Sequence, residues 1–264
     1  MSAELFKSRV KSTLVLTLSN PDLRNALALE MYPALLKGLK QAESDSDILS
    51  VVITGANGTF CAGGNLNRLK SNREQPKSVQ EGSIDQLHQM INAVIACPKP
   101  VIAAVEGAAA GAGYSLALAC DMMVAADDAQ FVMAYVKVGL SPDGGGSWQL
   151  LQQLPREAAM EQLLSGEALK APRLYQLGVV NRLADKGQAL NDALAICHRF
   201  ESLSPYAVAA AKRLAQGATQ RSITEHMELE KRSFVDCLHG PEAGEAITAF
   251  FEKRSARFNA DKNT

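Results

Sequence analysis

Short uncharged runs rich in β-branched residues recur through the first half of the chain, separated by segments of helical length. That alternation leaves few folds open. Residues 10–18 read as a half-buried strand, and residues 48–54, 101–105 and 122–125 as further strands. Between them, residues 27–42 carry Leu27, Met31, Leu35 and Leu39 at helical spacing. Residues 84–96 also read as a helix, and residues 112–119 as a helix of small side chains. Asn20-Pro21-Asp22, the segment 55–58 and Cys97-Pro98-Lys99-Pro100 supply the turns. Residues 67–83 are polar with no sustained period and predict a mobile surface loop. Beyond residue 150 the pattern is almost wholly helical, with Pro205 and Pro241 at first helical positions. The expected architecture is an α/β core over residues 1–200, followed by a helical region of three helices over residues 201–264.

Charge and cysteine content exclude several function classes. Lys and Arg number 27 against 28 Asp and Glu, so no broad basic field attracts nucleic acid or an anionic membrane. The five cysteines are widely spaced with no CxxC, which reads as reduced thiols rather than a zinc ribbon or a redox pair. His88, His198, His226 and His239 have no paired ligand spacing, so no metal is expected. Residues 1–11 lack the apolar core of a signal peptide. The uncharged stretch 107–120 is too short and too rich in glycine to span a bilayer. A cytoplasmic protein is the expectation.

Four stretches are richer in glycine and small residues than folding alone requires. Residues 59–66 (TFCAGGNL) and 106–113 (EGAAAGAG) each follow a strand, where backbone N–H groups are free and small side chains admit a ligand. Two such N–H groups facing one point would make an oxyanion hole; for either stretch by itself, tight turns and close helix packing are the simpler explanation. Neither completes GxGxxG, no phosphate-binding GK[ST] occurs, and Gly113-Tyr114-Ser115-Leu116-Ala117 lacks the last glycine of a nucleophile elbow. In residues 138–148, Asp143 stands between Pro142 and three glycines. It is either a helix N-cap or a carboxylate held beside a reacting centre. In residues 20–27, Arg24 is either a phosphate partner or a solvated cation.

In this order and spacing the four stretches resemble the crotonase (enoyl-CoA hydratase/isomerase) superfamily. The resemblance runs from about residue 14 to residue 258 and takes in VVITG at 51–55, KPVIAAV at 99–105, Cys120-Asp121 and FFEKR at 250–254. It implies a spiral of ββα units with a helical C-terminal trimerisation region, assembled as a homotrimer or a dimer of trimers. It also implies an acyl-CoA thioester substrate, with coenzyme A as part of the substrate and no separate cofactor. By position, the N–H groups of Gly64 and Ala112 would polarise the thioester carbonyl. Arg24, Ala26, Ala62, Asn65 and Leu66 would lie along the CoA, with Asn65 departing from the usual aspartate. Phe250 and Lys253 would contribute from a neighbouring subunit.

The same resemblance separates subfamilies. Ser115 and Tyr135 occupy the two positions where hydratases carry glutamates, so the usual water activation is missing. Asp143 falls where aspartate-dependent isomerases, including those of ring-opened phenylacetate degradation, place their acid. That alignment implies an enoyl-CoA isomerase with Asp143 as proton shuttle. The rivals are an enoyl-CoA hydratase, a hydrolase or dehalogenase using Asp143 with His88, and a non-catalytic CoA-binding relative. Tyr135, Trp148 and residues 67–83 are the candidates for shaping the acyl pocket.

Overall fold

The computed structural model describes residues 3–258. Its strands are β1 (Glu4–Val10), β2 (Thr13–Ser19), β3 (Ser50–Gly55), β4 (Val101–Val105), β5 (Ala108–Ala110), β6 (Met122–Ala126), β7 (Gln130–Val132), β8 (Leu169–Lys170) and β9 (Arg182–Ala184). They form two sheets. One has the order β1-β2-β3-β4-β6-β9, parallel except for β1, and the other has the order β5-β7-β8. Successive strands alternate between the sheets, β4 then β5 and β6 then β7, and each pair is followed by a helix. The chain therefore advances as the expected spiral of ββα units.

The helices are α1 (Met31–Ser44), α2 (Leu66–Asn72), α3 (Lys77–Ala96), α4 (Ala112–Leu118), α5 (Gly146–Gln153), α6 (Arg156–Ser165), α7 (Ala171–Gln176), α8 (Ala189–Phe200), α9 (Pro205–Ala215), α10 (Ile223–Leu238) and α11 (Pro241–Phe251). β3 and β4 are buried almost throughout and largely apolar because both faces of the large sheet are covered. Val51, Ile53, Val101, Ala103 and Val105 pack with the apolar faces of α1, α3 and α4. Alternate residues Val52, Ile102 and Ala104 meet Ala189, Ala193 and Cys197 of α8 on the other side. The Glu106 carboxylate accepts the N–H groups of Gly187 and Ala189 at the start of α8, where a negative charge is favoured.

Several sequence expectations need correction. Residues 10–18 are not one strand: Val10 and Thr13 pair across a tight turn, with Lys11 at positive φ, and β1 precedes them. β1 is an almost fully exposed edge strand, so it carries no buried alternation for the sequence to reveal. The first predicted helix begins later, at Met31, because Leu27 bridges to Gly64 instead. Residues 67–83 are no loop; α2 and the first turns of α3 occupy most of them. Their polarity reflects exposed faces rather than missing structure. The region beyond residue 150 also contains β8 and β9, both too short to show a period.

α9, the first of the C-terminal helices, is fastened to the core by charge. Lys212 Nζ, only 8% exposed at its side chain, lies 2.6 Å from Asp121 Oδ2 and donates to the Lys99 carbonyl at 3.1 Å. The same Asp121 oxygen accepts the Val101 N–H at 2.7 Å. Lys212→Met would leave the Asp121 carboxylate, 27% exposed at its side chain, without its cation. It is expected to lower stability by about 1–2 kcal/mol in urea unfolding, and an unchanged midpoint would show that the pair does not anchor α9.

Candidate active site

Two chain crossings build the site. After β3 the chain returns past Phe60, and Cys61 joins the second sheet. Its N–H donates to the Ala108 carbonyl at 3.0 Å, and its carbonyl accepts the Ala110 N–H at 2.9 Å. This lays the turn Ala62-Gly63-Gly64 against the start of α4. A Cβ at Gly63, where φ is +94°, would come within 2.6 Å of the Ala110 carbonyl oxygen. One at Gly113 would come within 2.5 Å of the Cys61 carbonyl oxygen. These close approaches require glycine. They leave the Gly64 N–H, and the Ala112 N–H at the first position of α4, with no hydrogen-bond partner among the described residues.

The turn is held from behind by Asn25. Its side chain accepts the Asn20 N–H at 2.9 Å and donates to the carbonyls of Ala56 and Thr59 at 2.8 and 2.6 Å. Arg24 accepts the Ala62 N–H through its carbonyl at 3.0 Å, while its side chain is exposed.

Asp143 shares with this pair of N–H groups a cavity of about 760 Å³ that Gly64, Ala112 and Asp143 all line. Its side chain does not cap a helix: α5 starts at Gly146 with Gly145 before it, and the Asp143 backbone carbonyl accepts the Gly146 N–H. The carboxylate is therefore left for the cavity. Tyr135 donates its hydroxyl to Asp143 Oδ1 at 2.6 Å, and Ser115 donates to the Asp143 carbonyl at 3.1 Å. Burial first, then the negative charge of Asp143, pushes the Tyr135 phenol up, so it remains a proton donor to the carboxylate. Burial likewise pushes the Cys61 thiol up to about 12, which removes it as a nucleophile.

Ala62, Leu66, His88 and Tyr135 also line the cavity, His88 from an exposed position on α3. Ser115 is fully buried and reaches the site through the Asp143 backbone. Asn65 caps α2, its side-chain oxygen accepting the N–H groups of Asn67 and Arg68. Arg24, Ala26 and Asn65 stand beside the cavity wall without lining it. Trp148 is exposed on α5 and does not line the cavity, so it is removed from the candidates for the acyl pocket. Phe250, 79% exposed, and Lys253 lie at the end of α11 and do not reach the cavity of their own chain. Sequence reasoning missed Tyr32 and Arg68, which line the cavity from α1 and α2, and the structural part of Asn25. Arg68 was legible only as one cation in a polar segment, because the burial of its head depends on how α1 and α2 meet.

Residues 8–261 match the family described as enoyl-CoA hydratase/isomerase. The chain belongs to the enoyl-CoA hydratase/isomerase family. It is an enzyme of that family, acting on acyl-CoA. It is 32% identical over 249 residues to the 1,2-epoxyphenylacetyl-CoA isomerase of Escherichia coli K12, covering 94% of this chain and 95% of that one. It is also 32% identical over 256 residues to the 2,3-dehydroadipyl-CoA hydratase of the same organism, covering 97% and 98%. A crystal structure of an enoyl-CoA hydratase from Polaromonas sp. JS666 superposes with a TM-score of 0.94 at 49% identity, covering 96% of this chain and 98% of that one. The α/β spiral is thus the crotonase fold.

Gly63→Ala tests whether the close crossing matters. The strained φ and the contact with the Ala110 carbonyl are expected to cost about 1–3 kcal/mol of stability. Acyl-CoA binding by the folded fraction should weaken as well, measured by calorimetric titration. Binding as tight as wild type would show that the Gly64 and Ala112 backbones need not lie where they do.

Proposed function

We propose that the protein is an enoyl-CoA isomerase that shifts a double bond through a dienolate, with Asp143 carrying the proton. The Gly64 and Ala112 N–H groups would hold the thioester oxygen. As a proton leaves carbon, negative charge builds on that oxygen and the two donors bind it more strongly, each worth about 3–4 kcal/mol in such sites. Asp143 takes the proton and returns it to another carbon. One carboxylate serves both steps because the reaction gains and loses neither water nor a net proton.

The observation that carries this reading is the company Asp143 keeps. Its Oδ1 is held by Tyr135 and its backbone by Ser115, the two non-acidic residues that the family resemblance puts at the positions of the hydratase glutamates. The hydroxyl of Tyr135 fixes the carboxylate in one orientation and leaves Oδ2 for the substrate. One relative is an isomerase and another a hydratase, so the carboxylate arrangement, rather than relatedness, favours isomerisation.

A second reading draws on His88, which lines the same cavity. In it Asp143 attacks the substrate and His88 activates water against the resulting ester, as in a hydrolase or dehalogenase. Mass spectrometry of the quenched enzyme separates the two readings, since only this one leaves an ester on Asp143.

The assembly is proposed to be a homotrimer or a dimer of trimers. The C-terminal helices expose Ile223, Met227, Phe234, Phe250 and Phe251, more large apolar surface than a monomer usually presents. In such an assembly Phe250 and Lys253 would reach the CoA of a neighbouring copy.

Asp143→Asn tests the proton-carrying role. It keeps the size of the side chain and its bond to Tyr135 while removing the base. Chromatography of double-bond isomers should show turnover falling by about 10²–10⁴-fold with binding retained. Turnover within a few-fold of wild type would refute the mechanism.

A further inference from the structure

The cavity that Asp143 lines also contains a cation that the reaction does not use. Arg68 lies in the first turn of α2, whose Asn65 cap directly follows Gly64. Its Nε and Nη1 atoms are buried and have no hydrogen-bond partner among the described residues. Its Nη2 donates only weakly, at 3.4 Å, to the hydroxyl of Tyr32, a side chain 2% exposed that lines the same cavity. A guanidinium with two nitrogens withdrawn from water and facing no anion is costly, and the cost is recovered only when an anion arrives. The neighbouring cations Arg73 and Lys77 are exposed and keep their hydration.

We propose that Arg68 and Tyr32 form a subsite for a carboxylate at the far end of the acyl chain, so that the preferred substrates are CoA monothioesters of dicarboxylic acids. The proposal rests on the reading above that this cavity receives the acyl group. The chemistry of the wall selects the source of the anion. Leu69, Ile84 and Leu87 line the cavity with Arg68 and give an alkyl chain apolar surface, while the exposed Arg73, Lys77 and Glu81 line it where water reaches them. A terminal carboxylate can be carried along that apolar surface by its own chain, whereas a nucleotide phosphate dianion would have to give up far more hydration to follow it. The planar guanidinium of Arg68 can turn its Nη1–Nη2 edge to the two carboxylate oxygens once the weak Tyr32 contact is exchanged for the stronger charged one. The Tyr32 hydroxyl accepts from Nη2 and has its own proton to give.

Binding of saturated thioesters tests the subsite without requiring turnover. Hexanoyl-CoA and adipyl-CoA share a chain length and differ in the terminal carboxylate; succinyl-, glutaryl- and pimelyl-CoA set the reach. Calorimetric titration of the wild-type protein should give a dicarboxylic member at least about tenfold tighter than its alkyl counterpart. In Arg68→Met the two affinities should converge, and in Arg68→Lys part of the preference should return. Equal or weaker binding of every dicarboxylic thioester by wild type overturns the subsite, even if Arg68→Met fails to fold. A loss in Arg68→Met that is the same for hexanoyl- and adipyl-CoA assigns the cation to a CoA phosphate and also overturns it. Failure to isomerise any enoyl-CoA would refute the reaction reading while leaving this binding comparison intact.

Discussion

The reciprocal hydrogen bonds between Cys61 and the Ala108–Ala110 strand hold the site together. They join the end of a large-sheet strand to the small sheet and bring two chain crossings to within a glycine's thickness. Everything the site offers follows from that contact. It places Gly64 beside the start of α4, and it forbids side chains at Gly63 and Gly113. The donors it leaves are backbone groups, fixed by the sheets rather than by rotamers, so they need no reorganisation when charge develops before them.

Against those fixed donors the site sets the Asp143 carboxylate, held by Tyr135, while the other carboxylate lining the cavity, Glu81, is exposed on α3. A pair of glutamates could handle water and proton separately, but Ser115 and Tyr135 carry no carboxylate to take up a proton, and both hydroxyls donate to Asp143. The glycine turn at residues 144–145 leads into α5 without using the Asp143 side chain as a cap, which keeps that carboxylate available. The half-buried Arg68 adds to the same cavity a cation with two nitrogens that have no hydrogen-bond partner among the described residues.

Much of this was legible in the amino-acid sequence because the physics involved is local. Apolar strands 48–54 and 101–105 announce a sheet covered on both faces, and glycine-rich segments after them mark where backbone is left open. What escaped was set by tertiary contact. β1 is an exposed edge strand, so nothing in its pattern distinguishes it from a tail. α2 and the start of α3 are polar because they border a cavity and solvent, and they read as a loop. Asp143 read most simply as a cap until the helix start fell at Gly146, and Arg68 was one cation in a segment read as a loop, its contact with Tyr32 of α1 set by tertiary structure.

The fate of solvent hydrogen in a single conversion tests the central claim most directly. Wild-type protein would be incubated with an unsaturated acyl-CoA panel in deuterated water, and the products weighed and separated. A shared carboxylate that removes and returns the proton predicts a shifted double bond with no added water, and at most partial deuterium uptake at the carbon that receives the proton. A product heavier by one water, or release of the free acid, would contradict it and hand the site to hydration or hydrolysis.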